Sequence, residues 1–212
     1  MSSKKSAPYG TILLALFWVI LVVAAVIYFR PSATIIPDEL LGVLRPGPKQ
    51  IEQFSLVDHN NKPFKLERLK NKWTFIFFGY TFCPDICPTT MSALTATMSQ
   101  IKNSPDVAKD VQVVFVSVDP QRDTTEKLAN YMGYFNKEFT GVTGSRKELD
   151  ALVSQAGAGY AIEPETAPGE YLVSHTSAIF LINPDGELIA SFSQPHYPST
   201  IAEQFGQIRA MY

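Results

Sequence analysis

Hydrophobic residues along this chain fall into one long uncharged block, followed by short blocks separated by polar turns. The long block, Thr11 to Phe29, holds nineteen residues without a charge. At a helical rise of about 1.5 Å per residue it would extend about 28 Å, close to the hydrocarbon thickness of a bilayer. Lys4 and Lys5 precede it, and Arg30 and Pro31 end it. Tyr28-Phe29-Arg30-Pro31 is a poor cleavage site for a signal peptide. The pattern therefore predicts an uncleaved transmembrane anchor over 11–29. The positive-inside rule places residues 1–10 in the cytoplasm, with Arg30 working against that orientation. Prolines 31, 37, 46 and 48 mark a linker over 30–50, which leaves 51–212 as the globular domain.

The short blocks predict strands and helices. Residues 54–58 and 62–66 flank His59-Asn60-Asn61 as a hairpin. Trp73 to Phe78 is an apolar, aromatic run ended by Gly79, which suits a buried strand. Met91, Leu94, Met98 and Ile101 form one face of a helix from about 88 to 102. Val111 to Val118 is a second buried strand, ended by Asp119-Pro120. Thr124 or Thr125 caps a helix to about 136. Ser145 and Glu148 form a capping box for another to about 156. Strands at 177–182 and 187–192 are joined by Asn183-Pro184-Asp185-Gly186, and a helix follows from about 198 to 210. After the first hairpin the order is β-α-β-α-α-β-β-α. That alternation gives a sheet covered on both faces, an α/β fold. Its terminal hairpin and helix point to a thioredoxin-like sandwich with inserted hairpin elements, preceded by one N-terminal transmembrane helix. No internal repeat is present.

Formal charge is −2 over 212 residues, which gives no reason to expect a nucleic-acid partner. The two cysteines, Cys83 and Cys87, are the only ones and lie at the strand-to-helix junction. Two thiols this close can form a disulfide, share a soft metal ion, or do both in turn. Free amides and the dipole at a helix start favour thiolate there, and thiolate is both nucleophile and ligand. Beyond the membrane they would meet an oxidising compartment.

Two thiolates leave a metal site incomplete, and imidazole is the natural addition. Of the three histidines, His59 belongs to a polar turn facing solvent, and His196 to a late loop. His175 precedes a strand expected to run antiparallel beside 73–78. Its position would bring it to the thiols. Cys83, Cys87 and His175 make a three-coordinate set suited to Cu(I), extensible for Cu(II) by a weaker fourth ligand. A closed zinc site would want a fourth protein ligand. Asp85 and Asp119 are the carboxylates that could come close. The simpler reading is a helix-start carboxylate for Asp85 and a turn residue for Asp119.

Three further stretches now matter: Gly79-Tyr80-Thr81-Phe82-Cys83-Pro84-Asp85-Ile86-Cys87-Pro88, Ser117-Val118-Asp119-Pro120-Gln121-Arg122-Asp123-Thr124, and Tyr171-Leu172-Val173-Ser174-His175-Thr176. With Gly141-Val142-Thr143-Gly144 between the last two, they resemble the SCO/SenC family over roughly residues 51 to 210. That family consists of membrane-anchored copper proteins that assist assembly of the copper A centre of cytochrome c oxidase. The resemblance implies Cys83, Cys87 and His175 as metal ligands, with Asp119 as a possible secondary one. It also implies copper, as Cu(I) or Cu(II), as the bound ion. The implied partners are cytochrome c oxidase subunit II and other copper-delivery or thiol-reducing proteins. The implied location is a bacterial inner membrane with the domain in the periplasm, or a mitochondrial inner membrane facing the intermembrane space.

Competing functions stay open at this level. A copper chaperone uses all three ligands and is not strictly an enzyme. A thiol–disulfide reductase would use Cys83 and Cys87 through a mixed disulfide, keeping the oxidase's copper-site cysteines reduced. His175-Thr176 stands where thioredoxins carry a proline, which counts against general disulfide exchange. A peroxidase would usually carry Thr three residues before its cysteine, where this chain has Tyr80 and Pro84. A redox or metal sensor is a fourth possibility.

Overall fold

The computed structural model describes residues 9–28, 36–103 and 105–212. The chain divides into two units, Met1–Ile36 and Pro37–Tyr212. In the first, Tyr9–Tyr28 is a 20-residue helix, α1. Its side chains are described without a break only from residue 12 to residue 26, and most are exposed. Among the described residues no helix is long and apolar enough to cross a membrane. Phe29, where the uncharged run ends, lies outside them.

The second unit is a mixed α/β domain. Its strands are β1 (Leu44–Gln50), β2 (Ser55–Asp58), β3 (Pro63–Lys65), β4 (Trp73–Gly79), β5 (Val111–Ser117), β6 (Thr140–Thr143), β7 (Tyr160–Ile162), β8 (Val173–His175), β9 (Ile179–Ile182) and β10 (Glu187–Phe192). Its helices are α2 (Ile86–Ile101), α3 (Pro105–Ala108), α4 (Thr125–Phe135), α5 (Arg146–Ala156) and α6 (Pro198–Met211). Among the described residues, eight strands form one sheet in the order β1-β10-β9-β4-β5-β6-β2-β3, and β7 and β8 make a separate ribbon.

Every residue of β4 is buried. A strand covered on both faces reads as an unbroken apolar run, which is why the sequence announces it. Alternation puts Phe75 and Phe77 on one face. Phe75 packs against Phe205 of α6, and Phe77 against Phe115 of β5, which in turn meets Tyr131 of α4. Phe78 on the other face meets Phe180 of β9. Burying each such ring stabilises the fold by roughly 1.5–3 kcal/mol.

Two pairings position the functional residues. β4 and β5 run parallel, from Trp73 opposite Val111 to Gly79 opposite Ser117. The loops leaving the two strands therefore emerge side by side. β4 and β9 run antiparallel, with Phe77 opposite Ile179. The chain entering β9 thus arrives where the chain leaving β4 departs.

Several expectations need correction. The linker predicted over 30–50 ends early, because Leu44–Gln50 pairs with β10 as an edge strand. Pro46 and Pro48 are tolerated there because an edge has one unpaired side. The short strand β6 was not anticipated, and it sits between β5 and β2 in the sheet. α2 begins at Ile86 rather than near 88, with Asp85 as its N-cap residue making no side-chain cap bond. Ser145 does cap α5 by accepting the Glu148 N–H. The capping box is not closed, however, because Glu148 turns its carboxylate to the Ser55 N–H at 2.8 Å. Thr124 caps α4 through the Lys127 N–H.

Gly79 ties the sheet to the cysteines by its lack of a side chain. A Cβ there would lie 2.7 Å from Cys87 Sγ and 2.9 Å from Phe115. Gly79→Ala should therefore cost about 1–3 kcal/mol through overpacking, and push the Cys87 sulfur aside. Urea unfolding of metal-free protein checks this; an unchanged midpoint would contradict the packing account.

Candidate metal centre

The cysteine loop leaves β4 at Gly79 and enters α2 at Ile86. Cys83 is half-buried and Cys87, in the first turn of α2, is fully buried. Both thiols are free. β8 ends at His175, four residues ahead of β9, and the antiparallel register brings it to this loop. Cys87 Sγ and His175 Nε2 lie 3.3 Å apart. The Cys87 N–H points to Cys83 Sγ at 3.4 Å. The three donor atoms all fall within 4.8 Å of one another.

The imidazole is oriented for this. Nδ1 lies 3.1 Å from the Thr176 carbonyl oxygen. A carbonyl can only accept, so Nδ1 carries the proton and Nε2 keeps its lone pair. Backbone orientation of a ligating histidine in this way is common at metal sites. The ring is also flanked edge-on by Phe77 and Tyr80, at 5.8 and 6.0 Å between centroids.

The two thiols are unequal. A hydrogen bond from the Cys87 thiol holds Cys83 well below the ordinary thiol range, to about 3, against the opposing effect of its burial. The same hydrogen bond, followed by burial, pushes Cys87 up. The amide freed at the start of α2 serves Cys83, because that sulfur receives the Cys87 N–H. The site thus pairs a half-exposed thiolate with a buried thiol that keeps its proton until something displaces it.

Asp119 stands apart from this trio. It is fully buried, and both its oxygens are occupied. Arg122 Nε donates to Oδ2 at 2.5 Å, and the Tyr171 hydroxyl donates to Oδ1 at 2.8 Å. Asp85 remains at the helix start. His196 is half-buried, with Nδ1 at 3.3 Å from Thr90 Oγ1 and Nε2 at 3.2 Å from the Phe192 carbonyl oxygen. Burial lowers its pKa. His59 was expected to face solvent. Instead its Nδ1 accepts the Gly141 N–H at 3.0 Å, tying the first hairpin to β6.

Residues that the sequence reading left without roles surround the trio. Asp123 is buried and accepts from the Thr81 N–H at 3.0 Å, the Thr81 hydroxyl at 2.5 Å and the Ser117 hydroxyl at 2.6 Å. It anchors the cysteine loop to β5 two residues ahead of Cys83. Burial raises its pKa. Arg122 and Tyr171 connect the β5–α4 loop to the arm that carries His175. The signal for all three was present only as motif letters, because side-chain partners across a sheet edge are not visible in spacing.

Comparison with known proteins places this arrangement. The SCO1/SenC family model matches residues 44–209. The chain belongs to the SCO1/SenC family. A protein of Stutzerimonas stutzeri is 37% identical over 158 residues, covering 74% of this chain and 76% of that protein. The human mitochondrial SCO1 homolog is 34% identical over 149 residues, covering 70% of this chain. The chain spans about half the length of that relative, 49%. Among solved structures, copper-bound ScoI of Arabidopsis thaliana has a TM-score of 0.71 at 31% identity, covering 76% of this chain and 98% of that one. The thioredoxin-like fold is therefore shared with a SCO-family protein crystallised with copper.

Because the Cys83 pKa is lowered, its thiolate persists above about 3 and is lost as pH falls through that value. Reduced, metal-free protein should therefore alkylate with iodoacetamide at Cys83 and not at buried Cys87, with little slowing even at roughly pH 5. Peptide mapping by mass spectrometry reads this directly. A rate that climbs toward the ordinary thiol pKa of about 8.5 would contradict the assignment.

Proposed function

We propose that this chain carries copper to the copper A centre of cytochrome c oxidase subunit II, holding the ion through Cys83, Cys87 and His175. One observation carries the reading: two thiol sulfurs and a lone-pair-bearing imidazole nitrogen converge within 4.8 Å. Soft sulfur donors with one imidazole suit Cu(I), and three donors leave an opening for a fourth. An incoming thiolate of the target can enter that opening and displace the present ligands one at a time. Cys83 is half-exposed at the mouth and Cys87 is buried behind it, so exchange would begin at Cys83. Membership of the SCO1/SenC family and the copper-bound Arabidopsis relative support copper as the cargo.

In this reading the uncharged run from Thr11 to Phe29 is the membrane anchor. Support comes from the sequence alone, nineteen residues without a charge, about 28 Å at helical rise. The domain then lies in the bacterial periplasm, with the mitochondrial intermembrane space as the alternative. Residues 1–10 lie on the cytoplasmic side, and the copper-binding domain spans the remainder after the linker.

A second reading is favoured by the inequality of the thiols. Cys83 as thiolate can attack a disulfide between the target's copper-site cysteines, forming a mixed disulfide and releasing one target thiol. Cys87, giving its proton to His175, then attacks Cys83 Sγ and releases the second target thiol. Two electrons pass to the target, and the chain is left with a Cys83–Cys87 disulfide for an external thiol reductant to reset.

The readings part at His175. In reduced full-length protein titrated against a Cu(I) chelator, His175→Ala should weaken copper binding by about tenfold or more. Its thiolate-to-copper absorption should also change. Copper binding indifferent to the substitution would refute the three-ligand site and leave thiol–disulfide exchange as the function.

A further inference from the structure

The His175 arm, residues 171–175, is tied to the cysteine loop by side chains, Arg122 foremost among them. Arg122 lies in the loop between β5 and α4. Its Nε donates to Asp119, and its NH1 donates to the Tyr171 carbonyl oxygen at 2.8 Å. Its Cζ lies 3.5 Å from the centre of the Tyr171 ring, 4.9 Å from that of Phe82 and 5.6 Å from that of Tyr80. Its NH2 is buried with no hydrogen-bond partner among the described residues, so aromatic faces are the company this part of the cation keeps. Phe82 adjoins Cys83, and Tyr171 is four residues ahead of His175. Tyr80 adds a second tie, because its hydroxyl bonds the backbone of Val173.

Among the described residues the main sheet gives the arm no partner strand. β8 pairs only with β7, as a two-stranded ribbon outside the main sheet. Two-stranded ribbons are marginal on their own. The cysteine loop, by contrast, has its own anchor in Asp123. His175 thus sits on a short ribbon paired only with β7 among the described residues, and the side-chain clamp ties that ribbon to the β5–α4 loop.

We propose that Arg122, aligned by Asp119 and closed by Tyr171, is a positioning residue that sets the approach of His175 to the two cysteines. This rests on the copper-site reading above. The clamp needs the planar fork of arginine, which can serve a carboxylate, a carbonyl and stacked rings together. Lysine keeps the charge opposite Asp119 but has no such fork.

The test is a double-mutant cycle on the reduced full-length chain, measuring Cu(I) affinity by chelator competition. Arg122→Lys should weaken binding about ten- to a hundredfold, and Tyr171→Phe, which keeps the ion pair, should give a smaller loss. In a His175→Ala background neither should weaken it further, because the imidazole they position is gone. Equal losses in both backgrounds, or none in either, would overturn the proposal. Metal-free hydrogen exchange gives a readout independent of copper. Arg122→Lys should speed exchange over residues 171–175 while leaving β4 unchanged; an arm that exchanges as in the wild type would overturn the proposal. If His175→Ala alone leaves copper binding intact, the copper-site reading fails and the proposed positioning of a ligand fails with it. Additive losses beside a strong His175→Ala effect would sink the clamp alone.

Discussion

The antiparallel pairing of β9 with β4 is the constraint on which the site depends. Phe77 stands opposite Ile179, and that register decides which residues meet at the end of the sheet. A shift of one residue would turn the buried β9 side chains toward the opposite face. It would also carry the His175 arm away from the cysteine loop. The aromatic packing of Phe75, Phe77 and Phe78 resists such a shift. Cys87 and His175 are separated by 88 residues of sequence, yet their distance is set by a few rungs of one ladder.

Within that frame the chemistry is deliberately uneven. Cys83 holds its negative charge with a donated thiol proton and a backbone amide, while Cys87 stays protonated in the core. Filling the site as a metal centre would require that buried proton to leave, which couples metal binding to proton release. For such a centre the half-exposed Cys83 thiolate would be the first point of attachment, with the buried sulfur and the imidazole completing the grip. The same asymmetry gives thiol–disulfide exchange an attacking sulfur and a resolving one. The two uses draw on one geometry, with His175 a ligand in one and a proton acceptor in the other.

Much of the domain could be read in the sequence because its signals are local. The apolar run of β4, the turn at Asn183-Pro184-Asp185-Gly186 and the threonine and serine caps of α4 and α5 act within a few residues. Cys83, Cys87 and His175 were legible because a strand–loop–helix junction and one antiparallel neighbour suffice to bring them together. β1 was hidden by its own prolines, which signal a linker unless an edge partner is known. β6 was hidden by its glycine and threonines, which carry little strand signal alone. The roles of Asp119, Arg122, Asp123 and Tyr171 depend on which loops emerge side by side from parallel β4 and β5. The sequence holds their letters, but the contacts exist only in the folded sheet.

Copper K-edge X-ray absorption on the reduced, Cu(I)-loaded chain tests the central claim most directly, because it counts the donors around the ion. The account predicts two sulfur neighbours at thiolate distance and one nitrogen with the outer-shell scattering of an imidazole, the latter absent in His175→Ala. A first shell of sulfur alone, unchanged by that substitution, would contradict the convergence of Cys83, Cys87 and His175 on one metal ion.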